Sequence, residues 1–150
     1  MKKVMKVELK YLILFFVGGS LYYLVEVLWR GHSHYSMFFA GGLCFILCGL
    51  INEILDWDTP LVLQGLFGSV IITLVEFIFG MILNVHLGLN IWDYSDLPLN
   101  LFGQISLPYT LLWIPLAMLA IVFDDYLRYW LFGEEKPHYR LWTAPKTAKL

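Results

Sequence analysis

Three glutamates stand inside otherwise apolar stretches of the chain: Glu26, Glu53 and Glu76. A charged side chain in a segment that crosses hydrocarbon is costly, so each is by default a candidate site for a cation, a proton or a polar solute. Each also sits on a stripe of small and polar residues. One stripe is Tyr22, Glu26 and Arg30; a second is Gly42, Gly49, Glu53 and Asp56. A third runs Gly65, Ser69, Thr73, Glu76, Gly80 and Asn84, and a fourth Ser106, Thr110, Trp113, Ala117 and Ala120. Residues three or four apart share one face of a helix. Small residues on that face admit a neighbouring helix, and polar ones seek partners away from lipid. The four stripes therefore predict one bundle with its polar faces turned inward. A packing reading stands beside the functional one, because Glu26 has Arg30 one turn away as a ready partner.

The elements that must carry these faces follow from composition. The 150 residues are 59% hydrophobic and 15% charged, against about a quarter charged in soluble domains. Mean hydropathy is +0.69. So much apolar surface needs lipid as its solvent. Apolar runs cover about residues 11–29, 35–55, 61–83 and 105–123, each of about 19 to 23 residues, enough to cross ~30 Å of hydrocarbon. The sequence thus predicts an all-α integral membrane protein: a single polytopic domain of about four transmembrane helices, with a polar tail over 124–150. The basic N-terminus followed by a long apolar run reads as a retained first span and not as a cleaved signal. A net charge of −2 argues against nucleic acid as a partner.

Orientation follows from the cations. Lys2, Lys3, Lys6 and Lys10 precede the first span, and Arg128, Lys136, Arg140, Lys146 and Lys149 follow the fourth; only Arg30 lies elsewhere. The positive-inside rule then predicts a multi-pass protein of the cell membrane with both termini cytoplasmic. The segment 84–104 becomes an extracytoplasmic interfacial loop between the third and fourth helices. Glu26 and Glu76 fall in the outer halves of their spans, where they could meet, whereas Glu53 lies near an inner end. His32, His34 and His86 share the outer side, but their spacing matches no metal motif, so no metal ligand set is assigned. Cys44 and Cys48 read as small packing residues, since helical spacing of four suits a disulfide poorly.

The loop carries Trp92-Asp93-Tyr94-Ser95, then Pro98, Asn100, Gly103 and Gln104-Ile105-Ser106-Leu107. Taken alone, this is an aspartate cap with aromatic anchors. Together with Glu76-Phe77 upstream and Glu26 in the first helix, it resembles the ABC-transporter type IV, or CmpB-like, family of membrane proteins. The resemblance is closest over about 35 residues. In the second helix the family's Gly-Pro-x-Cys-Pro-Ile-Tyr-Gly run is replaced by Gly41-Gly42-Leu43-Cys44-Phe45-Ile46-Leu47-Cys48, as in a divergent, short member. The resemblance implies a permease or transporter subunit. Its implied site residues are Glu76, Trp92, Asp93, Tyr94, Asn100 and Gly103.

Three functional readings stay open. A transporter subunit would use Glu26 and Glu76 to bind a cation or small polar solute, with Asp93 and Asn100 shaping the mouth and Trp92 and Tyr94 anchoring the loop. An ATP-binding subunit would be a separate chain, since the sequence has no Walker A loop, and a homo-oligomer could complete the pathway. Alternatively the polar faces serve packing, in a structural or regulatory protein that binds a partner or lipid. A membrane-embedded enzyme with paired carboxylates is the third reading. No cofactor is assigned.

Overall fold

The computed structural model describes residues 2–142. Five helices follow in order: α1 Lys2–Arg30, α2 Tyr35–Gly49, the single turn α3 Ile51–Ile54, α4 Leu61–Gly80 and α5 Leu107–Phe132. A π-helical stretch, Met81–His86, continues α4. Four helical segments are long and apolar enough to cross a membrane: Lys6–Arg30, Tyr35–Ile54, Leu61–His86 and Leu107–Phe132. Among the described residues there is no β-strand, only an isolated bridge between Leu101 and Ile105.

Two boundaries differ from the sequence expectation. The fourth span does not stop at 123 but continues to Phe132, so Asp124–Phe132 is helix and not tail. The hydropathy pattern breaks at Asp124-Asp125, yet the helix proceeds because those acids find partners inside the fold. The third span also passes 83 and ends at His86. Chain ends and starts are marked by ordinary caps. His34 accepts from the Ser36 amide at the start of α2, and Ser106 accepts from the Tyr109 amide at the start of α5. Gly133, with φ 67°, closes α5 in the left-handed conformation.

The chain then turns back across the end of the bundle. The Leu61 amide donates to the Arg140 carbonyl at 2.7 Å, and the Trp57 and His138 rings lie 5.1 Å apart. Lys146 and Lys149 lie outside the described residues.

Packing is by interlocked pairs. α1 lies along α2, and α4 lies along α5, with α2 touching both α4 and α5. Between α1 and α2, glycine meets aromatic: an added Cβ at Gly18 would sit 2.2 Å from Phe45 Cβ, and one at Gly41 would sit 2.4 Å from Tyr22 Cβ. Between α4 and α5 the predicted stripes do meet. Ser69 donates to the Thr110 carbonyl, the Thr73 and Thr110 hydroxyls are 3.1 Å apart, and Gly68 faces Ala117. Helix interfaces in lipid depend on such close approach and on satisfied polar groups.

Replacing Gly18 by Leu should therefore push α1 off α2. The expected loss is about 1–3 kcal/mol, typical of overpacking, and appears as a lower thermal midpoint in detergent. Leu28→Ala, at a site 78% exposed, should leave that midpoint unchanged.

Candidate functional site

Glu76 lies on α4 beneath the loop, and both of its carboxylate oxygens are occupied. The Tyr94 hydroxyl donates to Oε1 at 2.8 Å, and the Trp113 indole N–H donates to Oε2 at 3.0 Å. One donor comes from the loop and the other from α5, so this carboxylate ties three elements together. Glu26 is held differently. Arg30 Nη2 donates to it at 2.8 Å, as does the Ser33 hydroxyl. Arg30 Nη1 reaches across to the Ile91 carbonyl at 3.1 Å, linking the end of α1 to the loop.

Glu26 and Glu76 line one cavity of about 260 Å³, with Arg30 as its cation. The other walls are mainly aromatic. Tyr22 and Trp113 have ring centroids 6.3 Å apart, Trp113 and Tyr109 6.0 Å, and Tyr109 and Tyr94 stack at 4.4 Å with nearly parallel planes. Trp92 completes the wall, its indole donating to the Gln104 carbonyl at 2.9 Å. A second cavity of about 420 Å³ adjoins this one, lined by all four spanning helices and Trp92, with α2 and α4 as its floor and its exposed edge between α1 and α5. Glu76 is its one charged lining residue.

The loop motif is mostly a self-bonded cap. The Tyr94 amide donates to the Gly103 carbonyl at 2.7 Å. Asn100 donates to the Ser95 and Leu97 carbonyls and accepts from the Gly103 amide. Gly103, at φ 69°, is where the chain passes Asp93, whose Oδ1 would lie 2.8 Å from an added Cβ. Asn84, in the π-helical stretch, bonds Gln104 and the Ile91 amide. π-Helical turns commonly occur beside functional sites. Trp92 and Tyr94 thus face the cavity, whereas Asp93, Asn100 and Gly103 shape the loop and do not line it.

Two groups in the loop have shifted ionisation. Burial, with Glu76 beside it, pushes the Tyr94 phenol well above its ordinary range, so it remains a donor. The Ser95 hydroxyl and amide hold the exposed Asp93 carboxyl below its usual range.

Glu53 belongs to the opposite end of the bundle, half-exposed on α3, with its carboxylate 3.5 Å from Arg128 Nη1. There the structure gathers a second polar cluster that hydropathy had assigned to the tail. Arg128 is 2% exposed and Asp124 fully buried, and Arg128 Nε donates to Asp124 at 2.6 Å. Asp125 accepts from Asn52 at 2.5 Å and from the Tyr139 hydroxyl at 2.6 Å. Lys10 pairs with Glu134 at 2.6 Å. Gly49 leaves the space that Asp124 fills. This cluster joins α1, α3, α5 and the returning tail against the end of α2. Its sequence signal was the spacing of Asp124 and Arg128 by one helical turn. Tyr109 and Trp113 carry a similar spacing signal, although Tyr109 was not singled out from the sequence.

Among the described residues no group of three His, Cys, Asp or Glu side chains is placed to hold a metal ion.

A family model described as "Putative ABC-transporter type IV" matches residues 12–142. No curated protein and no solved structure matches the chain.

Removing one partner of a buried pair leaves an uncompensated charge. Arg128→Met should therefore lower unfolding free energy by about 3–5 kcal/mol, read by denaturation in detergent. Adding Asp124→Asn should restore most of that loss.

Proposed function

This chain belongs to the ABC-transporter type IV family, and on that premise we propose that it is a permease-like subunit with an intramembrane carboxylate site for a cation. It is a multi-pass membrane protein, with four helices long and apolar enough to span. The observation that carries the reading is that Glu76 and Glu26 face one aromatic-walled cavity directly under the loop.

The chemistry of Glu76 suggests how binding couples to movement. A cation arriving at its carboxylate competes with the two protein donors. The Tyr94 bond is the easier one to exchange, since Tyr94 sits on the loop and Trp113 on a spanning helix. Cation binding would release Tyr94 and with it the clasp between loop and bundle. Arg30 adds a second tether to the loop through Ile91. Glu26, already paired with Arg30 and Ser33, serves chiefly to hold that tether and to add negative potential.

In this reading both termini are cytoplasmic and the loop faces outward, supported by the sequence positions of nine of the ten Lys and Arg residues, which fall at or before residue 10 or at or after residue 128. ATP hydrolysis then falls outside these 150 residues, which carry no Walker A loop. Four spans form a small bundle, so a second copy or a partner would complete a pathway.

A packing role for the polar faces is the rival reading, favoured at Glu26 by its satisfied ion pair. The two separate at Glu76. Tetramethylammonium binding to purified protein in lipid nanodiscs, followed by calorimetry, should be saturable, and Glu76→Gln should weaken it at least tenfold. Membrane abundance should stay near wild type, with the thermal midpoint lowered by no more than the loss of one accepted hydrogen bond, about 1–3 kcal/mol. A loss of abundance without any cation binding in the wild type would make Glu76 a packing residue.

A further inference from the structure

The site has two chambers, and the proposed function uses only one of them. The smaller chamber, under the loop, is lined by Glu26, Glu76 and Arg30, of which only Glu76 also lines the larger. Arg30 is committed to Glu26 and the Ile91 carbonyl, so one negative charge, that of Glu76, is left facing an aromatic wall. Both donors to that carboxylate are aromatic ring groups, and a ring that donates to an anion is richer in π density. Tyr22, Trp113, Tyr109 and Tyr94 form a continuous run of aromatic rings. Rings around a carboxylate recognise an alkylated ammonium, through cation–π attraction at the faces and charge pairing at the acid. Hard metal ions prefer six or more oxygen ligands, and here the Glu76 oxygens already hold an N–H and an O–H.

The larger chamber is apolar. Gly18, Phe45, Cys48, Ile72, Leu119 and Phe123 are among its walls, and Glu76 stands where it joins the smaller one. It lies between α1 and α5, two helices that pack against other partners and not along each other. Its lips are half-exposed: Leu21 40%, Val25 49% and Phe123 37%. The chamber therefore opens sideways, onto what would be acyl chains. Its volume, about 420 Å³, is in the ~300–1,000 Å³ range of ligand sites. A small hydrated cation would leave this space without a use.

We propose that the site takes an amphiphile, an alkyl chain bearing a quaternary ammonium, with the ammonium in the aromatic chamber at Glu76 and the chain in the cleft between α1 and α5. This deepens the cation-site reading and rests on it. The chain would slide in laterally from the membrane, and the head group would displace Tyr94 from Glu76. The same chemistry is offered by a free single-chain amphiphile and by a choline-headed membrane lipid.

The test is binding of radiolabelled tetradecyltrimethylammonium to the full chain in phosphatidylglycerol nanodiscs, counted against empty discs. Saturable binding at one site per chain is expected. Glu76→Gln should weaken both this probe and tetramethylammonium at least tenfold. Ala120→Phe, which fills the apolar chamber, should weaken the long-chain probe at least tenfold and leave tetramethylammonium within twofold. Cys44→Leu narrows the same chamber and serves if Ala120→Phe misfolds by thermal unfolding. Tetradecyl sulfate should not compete; equal competition by it, or indifference of the long-chain probe to both chamber-filling changes, overturns the inference. Glu76-dependent tetramethylammonium binding with no long-chain binding overturns it too, while sparing the cation site. Failure of both probes removes both readings. Displacement by added phosphatidylcholine assigns the ligand to the lipid, and its absence assigns it to the free amphiphile; either supports the inference.

Discussion

A carboxylate set among hydrocarbon must be met by donors, because no water is there to solvate it. Glu76 meets this constraint with one donor from α5 and one from the loop. Much of the loop end of the molecule follows from it. The loop must fold back over the bundle to bring Tyr94 down, and α5 must present Trp113 towards α4. The aromatic wall exists because the donors are ring groups. A polar requirement at one atom thus shapes the cavity around it.

The opposite end obeys the same constraint by a different route. Arg128 donates to Asp124 and Asn52 donates to Asp125 inside the bundle, although Asp124 Oδ1, Asn52 Oδ1 and Arg128 Nη2 stay unpaired there, and the returning chain contributes Tyr139 and Glu134. Burial and the bond to Asp125 push the Tyr139 phenol well above its ordinary range, which keeps it a donor. Here the polar groups pack closely around the buried Arg128 and Asp124, which suits a clasp joining helices. At the loop end they surround open space, which suits a binding site. The two ends use similar residues, and the free volume separates their roles.

The family signature acquires a physical meaning from this arrangement. Asp93, Asn100 and Gly103 turn the loop and bond its own backbone. Leu99 and Phe102 hold left-handed φ values of 52° and 53° within it, conformations that persist only where the surroundings dictate them. Trp92 and Tyr94 are the members that reach the cavity. The motif is chiefly a device for delivering one hydroxyl to one carboxylate at a set height in the bundle.

By itself the sequence determined the solvent, the number of spans and the facing stripes of α4 and α5, whereas the Glu53 and Asp56 end of the second stripe is exposed. The three-to-four spacing of Gly65, Ser69, Thr73 and Glu76 is a local property and survives into the structure, while the third and fourth apolar runs lengthen to His86 and Phe132. The loop motif and its resemblance were legible for the same reason. Tertiary structure alone decided the rest. Asp124 and Arg128 look like the start of a polar tail, because hydropathy counts charges and not their partners; only the fold brings Asn52, Gly49 and Tyr139 to them. The long apolar chamber was equally hidden. A cleft is the space left when α1 chooses α2 and α5 chooses α4, and that choice depends on glycines fitting against Phe45 and Tyr22 in the first pair and against Met118 and Ala117 in the second.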